Sequence, residues 1–301
     1  MVPLAVHIAD VLPAPWWVGG FVAAAALLAA NARRLADDEI PRLALVSAAF
    51  FVASLIHVRV GPTSVHLLLN GLVGLVLGRR AVLAVAVGLV LQAALVGHGG
   101  FSSLGVNICV MTLPAYLAAA LFAGLRRLPG VYRPSGRGLL VAGCVMLWGV
   151  SLLGGLEMML AEWRGDSADW LAHPARWWTF QPLTLAALGV IAALAAGWER
   201  RLENSPDFPI GLLVGEVAVL ATVALNALVL RLALPGEAGA IAPVMFVAHL
   251  PIAALEGVIC GFAVGFLLRV APHMLADSGR LEREDLVERD LPLPQADADH
   301  G

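Results

Sequence analysis

The chain has 301 residues, of which 60% are hydrophobic and only 14% are charged, and its mean hydropathy is +0.85. Soluble domains are about half apolar and about a quarter charged, so this composition excludes a nucleic-acid reader, a secreted disulfide scaffold and most cytosolic enzymes. The net charge is −3, and the three cysteines show no paired spacing. The sequence therefore predicts a membrane protein.

The predicted fold class is all-α, a polytopic bundle of transmembrane helices. A membrane-spanning helix needs roughly 20 apolar residues, which predicts about nine spans, or eight if the weak segment 180–198 lies at the interface. Gly78-Arg79-Arg80 joins the short third and fourth spans, which predicts a hairpin inside the bundle. In chain order the predicted spans are 16–32, 43–58, 64–78, 81–97, 105–125, 138–162, 180–198, 209–234 and 243–269.

Arginine placement predicts the orientation, because short cytoplasmic loops carry an excess of this residue. With the N-terminus outside and the C-terminus in the cytoplasm, nearly all of the 19 basic residues, every one an arginine, lie on the inner side. The exceptions are Arg59, Arg164, Arg176 and Arg231. We therefore expect a transmembrane domain over 1–275 and an acidic, solvated cytoplasmic tail over 276–301.

Histidines gather at one depth of this predicted topology. Five of the eight, His7, His57, His66, His98 and His249, fall at outer span ends or in outer loops, and so do Thr63, Ser64 and Asn107. A single interfacial histidine usually makes structural hydrogen bonds. For a cluster we favour a metal or polar-ligand site, because neutral imidazole is a common metal ligand.

Two outer segments refine this prediction. In the first, 61–71, a turn brings Thr63 and Ser64 to a helix start, and His66 and Asn70 stand four residues apart on one helical face. In the second, 97–107, a glycine-rich stretch lets the backbone approach a ligand, although a plain helix connection would also explain it.

Four separated motifs carry a family resemblance. In chain order they are Val6-His7-Ile8-Ala9-Asp10 with Leu12-Pro13, Thr63 to Gly71, Gly97-His98-Gly99-Gly100 with Leu104-Gly105-Val106-Asn107, and His249-Leu250-Pro251-Ile252 with Glu256-Gly257. They resemble the CbiM/NikM family, the substrate-capture components of energy-coupling-factor transporters for cobalt and nickel. The resemblance covers 6–125 and about 243–275, and 138–200 looks like an insertion of two helices.

The resemblance implies a square-planar metal site made of nitrogens. Its ligands would be an N-terminal amine, the backbone amide and imidazole of a histidine at position two, and a second imidazole. Tetragonal nitrogen ligation of this kind favours Ni(II) or Cu(II). Carried over, the two histidine ligands are His7 and His66, and His98 lies nearby as a residue that could orient a ligand.

One feature departs from the family pattern, since the family begins Met-His and this histidine stands at position 7. We hypothesise that translation starts at Val6, read from a GTG codon, and the intact mass of the purified protein tests this. If Met1 to Ala5 are retained, another ligand such as His57 or His98 must complete the site.

The other polar residues of the motifs are Thr63, Ser64, Asn70, Asn107, His249 and Glu256, which we place around the metal or along its cavity. His249 and Glu256 are seven apart and share a helical face, so they either line the cavity or form a buried polar pair. We favour the polar pair.

The sequence thus predicts a multi-pass protein of the bacterial cytoplasmic membrane that captures Ni2+ or Co2+ as a transported substrate. The resemblance implies cytoplasmic ATPase subunits and a transmembrane coupling subunit as partners, and allows a small accessory membrane subunit. The chain contains no GxxxxGK[ST] loop, so we expect it to bind no ATP, and we expect no nucleic acid as a partner. The alternatives are an intramembrane metalloenzyme and a metal permease that works without ATPases.

Overall fold

Helices form nearly all of the regular structure in the computed structural model of this chain. It describes residues 12–33, 35–60, 63–97, 99–166, 172–173, 177–199, 205–234 and 237–275, except for the side chains of 58–60, 63–64 and 237–240. The helices are α1 (Ala14–Ala32), α2 (Ile40–Ser54), α3 (Asn70–Leu77), α4 (Ala81–Leu91), α5 (Leu104–Arg126), α6 (Pro134–Arg164), α7 (Pro182–Glu199), α8 (Phe208–Ala233) and α9 (Glu237–Val270). This architecture confirms the predicted all-α class.

Most of these helices have the length and composition of membrane spans. Within the described residues, seven helical segments are long and apolar enough to cross a membrane, and one of them, Asn70–Val96, comprises both α3 and α4. They include α7, so the weak segment 180–198 does form an apolar helix of 18 residues. The total number of spans and the orientation of the termini stay predictions.

A short β-hairpin separates α2 from α3. Strand β1 (His57–Val60) pairs antiparallel with β2 (Thr63–His66), and the predicted helical spans 43–58 and 64–78 are wrong in this region. The physical reason lies in the sequence, where Val58, Val60, Thr63 and Val65 are β-branched and favour extended backbone. Proline at position 62 also lacks the N–H that a helix would need.

Helices α3 and α4 form the predicted internal hairpin. The side chain of Asn70 reaches the carbonyl of Met111, and Gly74 packs on Ala115, so α3 runs parallel to α5. Gly78 then breaks the helix at φ 52°, a region that glycine enters easily. If α4 continued along the axis of α3, Val96 would lie about 50 Å from Leu104, where α5 begins. The connection from Val96 to Leu104 can span only about 28 Å, so α4 must run antiparallel to α3.

Glycines allow α8 and α9 to pack closely. A Cβ added at Gly211 would lie 2.7 Å from the carbonyl of Cys260, and one at Gly257 would lie 2.8 Å from the carbonyl of Leu212. Gly257 and Gly261 therefore form a small-residue face that packs within the chain. This close pair holds one wall of the bundle against α3, whose residues from Val73 to Leu77 are all buried.

A buried arginine joins three elements at the α3–α4 turn. The guanidinium of Arg80 lies 3.0 Å from Glu39 Oε2, donates to the Arg33 carbonyl at 3.1 Å, and also bonds the Asn31 carbonyl. Hydrogen bonding to Arg80 holds the pKa of Glu39 below its ordinary value, with a further contribution from the Ala36 amide. The end of α1, the start of α2 and the turn are therefore tied together by one side chain.

Candidate metal site

The β-hairpin brings two histidines opposite each other. His57 and His66 are partners in the antiparallel register, so their side chains leave the same face of the hairpin. Nδ1 of His57 lies 2.9 Å from the Leu55 carbonyl, and Nδ1 of His66 lies 2.9 Å from the Leu67 carbonyl. Because a carbonyl only accepts, each neutral ring carries its proton on Nδ1 and has its lone pair on Nε2, the form that ligates metal.

Glu256 on α9 fixes the segment that follows His66. Its Oε2 accepts the backbone N–H of Leu69 at 2.9 Å, and its Oε1 accepts that of Leu68. Leu69 adopts a left-handed backbone with φ 48°, an uncommon conformation for a branched side chain. The fully buried carboxylate satisfies both amides at this bend, so α9 determines where His66 stands.

Asn70 connects the same segment to two further helices. Its Nδ2 donates to the Met111 carbonyl of α5 at 3.2 Å and to Thr222 Oγ1 of α8 at 2.6 Å. Thr222 in turn donates to the carbonyl of Ala218 at 2.8 Å. Asn70 is fully buried, and it therefore fixes the depth at which α3 begins.

His249 lies close to this cluster on α9. Its Nδ1 is 2.7 Å from the Met245 carbonyl one helical turn earlier, which again leaves the lone pair on Nε2. Burial lowers the pKa of His66, and repulsion from His249 and His57 lowers it further. The neutral imidazole that a metal requires is thus the favoured form of His66.

Asn107 organises the glycine-rich loop before α5. Its Nδ2 lies 3.1 Å from Ser103 Oγ and 3.5 Å from the Gly99 carbonyl, and Ser103 also bonds that carbonyl. Gly97, Gly99 and the next residue all have positive φ, which explains why glycine is repeated here. The hydrogen bonds of Ser103 and Asn107 to the Gly99 carbonyl therefore tie the loop to the start of α5.

Several predicted site residues can now be placed. His66, Asn70 and Glu256 meet at one bend, and His249 lies beside it. Thr63 and Ser64 lie on β2, where only their backbone is described. His7 and His98 lie outside the described residues. Among the described residues, no group of three or more His, Cys, Asp or Glu side chains could hold a metal ion.

Two expectations about these residues are wrong. His66 and Asn70 do not share a helical face, because His66 ends β2 and the helix begins only at Asn70, after the bend at Leu69. His249 and Glu256 do not form a polar pair, because each satisfies a different backbone group. The sequence places His57 in the histidine cluster but outside the predicted ligand pair, and the structure sets it opposite His66. The β-branched residues on both sides of Gly61-Pro62 are the sequence signal for this pairing.

Comparison with known proteins identifies the family. A family model described as "CbiM: Cobalt uptake substrate-specific transmembrane region" matches residues 7–190 and 178–274. The chain belongs to the CbiM family. The CbiM model thus extends over nearly all of the described helices, including α6 and α7.

Individual CbiM-like relatives agree with this membership. A protein of Haemophilus influenzae named as a metal transport protein is 48% identical over 117 residues, which is 38% of this chain and 57% of the relative. The cobalt transport protein CbiM of Geobacter sulfurreducens is 31% identical over 169 residues, 51% of this chain and 47% of the relative. The chain thus spans about half the length of these relatives. Their names are those of transport proteins and not of enzymes.

One solved structure is similar over most of the chain. The crystal structure of a truncated transition metal transporter aligns with a TM-score of 0.48 and 20% sequence identity, covering 88% of this chain and 99% of that one.

Proposed function

We propose that this chain is the membrane component that captures Ni2+ or Co2+ for import. The observation that carries the proposal is the bend after β2, where Glu256 and Asn70 hold the segment that follows His66 against α5, α8 and α9. Rigid support of this kind is what a metal-ligating imidazole needs, since outer hydrogen bonds orient the ligand ring and tune its basicity. Membership in the CbiM family supplies the substrate class.

We assign the ligands to His66 and His7, with His98 close to them. Thr63, Ser64, Asn70, Asn107, His249 and Glu256 surround this site or line the path into it. Nitrogen ligands suit both Ni2+ and Co2+, so the geometry around the ion selects between them. His57 is the described residue best placed to take over if His7 is not a ligand, because it stands opposite His66.

The partners in this proposal are cytoplasmic ATPase subunits and a transmembrane coupling subunit, in the bacterial cytoplasmic membrane. The domain division follows the sequence, with metal capture over 1–275, an inserted helix pair over 138–200 and an acidic tail over 276–301. Release of the ion into the cytoplasm then depends on ATP hydrolysis by the partners and not by this chain.

Elemental analysis of the purified full-length protein tests the site. After incubation with Ni2+ or Co2+ and removal of free metal, we expect the wild type to retain metal and His66→Ala and His7→Ala to retain at least about tenfold less, the range known for losses around metal ligands. His273→Ala is the matched control, because His273 is exposed at the opposite end of α9 from His249. Full occupancy in both site variants would overturn the assignment.

Uptake in cells tests the partnership. Deletion of the genes for the partner ATPases should abolish accumulation of the metal, while the purified chain still retains it. Accumulation that persists without the ATPases would instead identify a permease that works alone.

A further inference from the structure

An open cavity lies between the proposed insertion and the last two helices, away from the histidine cluster. It has a volume of about 340 Å³ and is bounded by α6, α8, α9 and the short turn at 178–180. Ligand cavities in proteins start at about 300 Å³, so the space is sufficient for a bound molecule. Phe180 and Leu228 line it and are also exposed, so the cavity opens at the surface of the bundle.

Its wall is mostly apolar, and besides Ser151 it carries two polar side chains that stand out chemically. Arg231 of α8 lines the cavity, and its buried Nη1 has no hydrogen-bond partner among the described residues. Thr179 also lines the cavity and is only 1% exposed, and within the same part of the chain its Oγ1 has no partner either. Buried donors without partners are costly, about 1–3 kcal/mol each in proteins, so these two groups call for an acceptor that the described residues do not supply.

The rest of the cavity indicates its depth in the membrane. Arg231 lies in the last turn of α8, and α9 begins close by in the chain, so this end of the cavity is at the boundary of the bundle. The ring of Trp177 stacks on Phe180 with centroids 5.5 Å apart, and tryptophan is enriched at the level of lipid headgroups. Val150 and Met158, from α6, extend the apolar wall away from this polar end.

We propose that this cavity binds one anionic phospholipid of the surrounding membrane. The phosphate accepts hydrogen bonds from Arg231 and Thr179, and an acyl chain fills the apolar part between α6 and α9. Charge complementarity carries the proposal, because arginine matches phosphate geometry, and basic pockets between transmembrane helices suit anionic headgroups. The lipid would thereby join the proposed insertion to the helix that carries His249 and Glu256.

Gly154 offers a way to fill the cavity without disturbing the bundle. It lines the cavity, and a Cβ added there would have only Thr179 Oγ1 within reach, at 4.0 Å. The neighbouring Gly155 is unsuitable, because its Cβ would lie 2.8 Å from Val247. Gly143 is the matched control on the same helix, since a Cβ there meets nothing within 4 Å and the residue does not line the cavity.

Native mass spectrometry of the delipidated full-length protein tests the proposal, with phosphatidylglycerol and phosphatidylcholine as probes. We expect the wild type to bind one phosphatidylglycerol about tenfold more tightly than phosphatidylcholine, because the choline cation of phosphatidylcholine neutralises the phosphate charge that Arg231 would otherwise pair with. Arg231→Gln should lose this preference. Gly154→Leu should weaken the binding of both lipids, and Gly143→Leu should bind as the wild type does.

Other outcomes would overturn the proposal. They are equal binding of the two lipids by the wild type, an unchanged preference in Arg231→Gln, and equal affinities in the two glycine variants. Glycerol phosphate that binds as tightly as the lipid would show that no acyl chain is involved. A second copy or another protein that occupies the cavity and is displaced by Gly154→Leu would also exclude a lipid. Metal retention by Arg231→Gln reports separately on the proposed uptake, because no residue of the described His66 segment lines the cavity.

Discussion

At the scale of single residues, Glu256 has the clearest structural role in the candidate metal site. A carboxylate inside an apolar bundle is costly unless hydrogen bonds compensate for its lost hydration. Glu256 accepts two backbone N–H groups from a bend that has no helical partners of its own. The residue therefore stabilises the bend and is stabilised by it.

Replacement of Glu256 should release this bend. In Glu256→Ala the backbone N–H groups of Leu68 and Leu69 are left buried and unpaired, and each unpaired group destabilises the folded protein by about 1–3 kcal/mol. We therefore expect a lower melting temperature and weaker metal retention. Glu256→Gln keeps one acceptor oxygen and should lose less. Differential scanning fluorimetry and elemental analysis measure both effects.

Glu216→Gln is the matched control for this prediction. Glu216 is a buried acid on the neighbouring helix α8, and its Oε1 has no hydrogen-bond partner among the described residues. Metal retention and melting temperature that stay unchanged in Glu256→Ala would contradict the role assigned to Glu256.

At the scale of elements, the contact between α3 and α5 depends on the absence of one side chain. A Cβ at Gly74 would lie 2.0 Å from the carbonyl oxygen of Ala115, which is backbone and cannot turn aside. We expect Gly74→Ala to separate the two helices and to reduce the free energy of unfolding by about 1–3 kcal/mol, as overpacking does.

Gly124→Ala on α5 is the control for Gly74→Ala. A Cβ at Gly124 meets nothing within 4 Å, so alanine there should be neutral or stabilising because of its higher helix propensity. Thermal unfolding of both variants in the same detergent measures the difference. Equal stability of the two would show that the close contact at Gly74 is not required.

The tie between Arg80 and Glu39 predicts a dependence of stability on pH. Because Arg80 lowers the pKa of Glu39 in the folded protein, the stabilisation is complete above the ordinary value of 4.5 and is lost as the pH falls below it. Glu39→Gln should therefore have a lower melting temperature than the wild type at neutral pH, by an amount that shrinks in acid. A difference between the two proteins that is constant from pH 7 to pH 3.5 would exclude this ionic contribution.

At the scale of the whole molecule, the arginine distribution predicts which ends of the helices face the cytoplasm. Phe101 and Leu128 are exposed and lie just beyond opposite ends of α5. We expect Phe101→Cys to react with a membrane-impermeant maleimide in intact cells and Leu128→Cys to react only after lysis, in a background without the three native cysteines. The reverse pattern would invert the predicted topology.

The element types were largely predictable from the sequence, and their exact ends were not. Long apolar stretches must form helices in a membrane, because only intrahelical hydrogen bonds satisfy the backbone there. The hairpin at His57 to His66 escaped prediction because apolar composition is the same for a short strand and for a helix end. Its β-branched residues and the proline at position 62 were the local signals.

The membrane class, the family motifs and the histidines that could build a site follow from the amino-acid sequence, since they depend on composition and local spacing. The support of the segment after His66 depends on the packing of the helices, because Glu256 is 188 residues away from Leu68. The same holds for Asn70 and Thr222, separated by 152 residues. Polar groups in an apolar bundle must find partners somewhere, and which partners they find depends on how the helices pack.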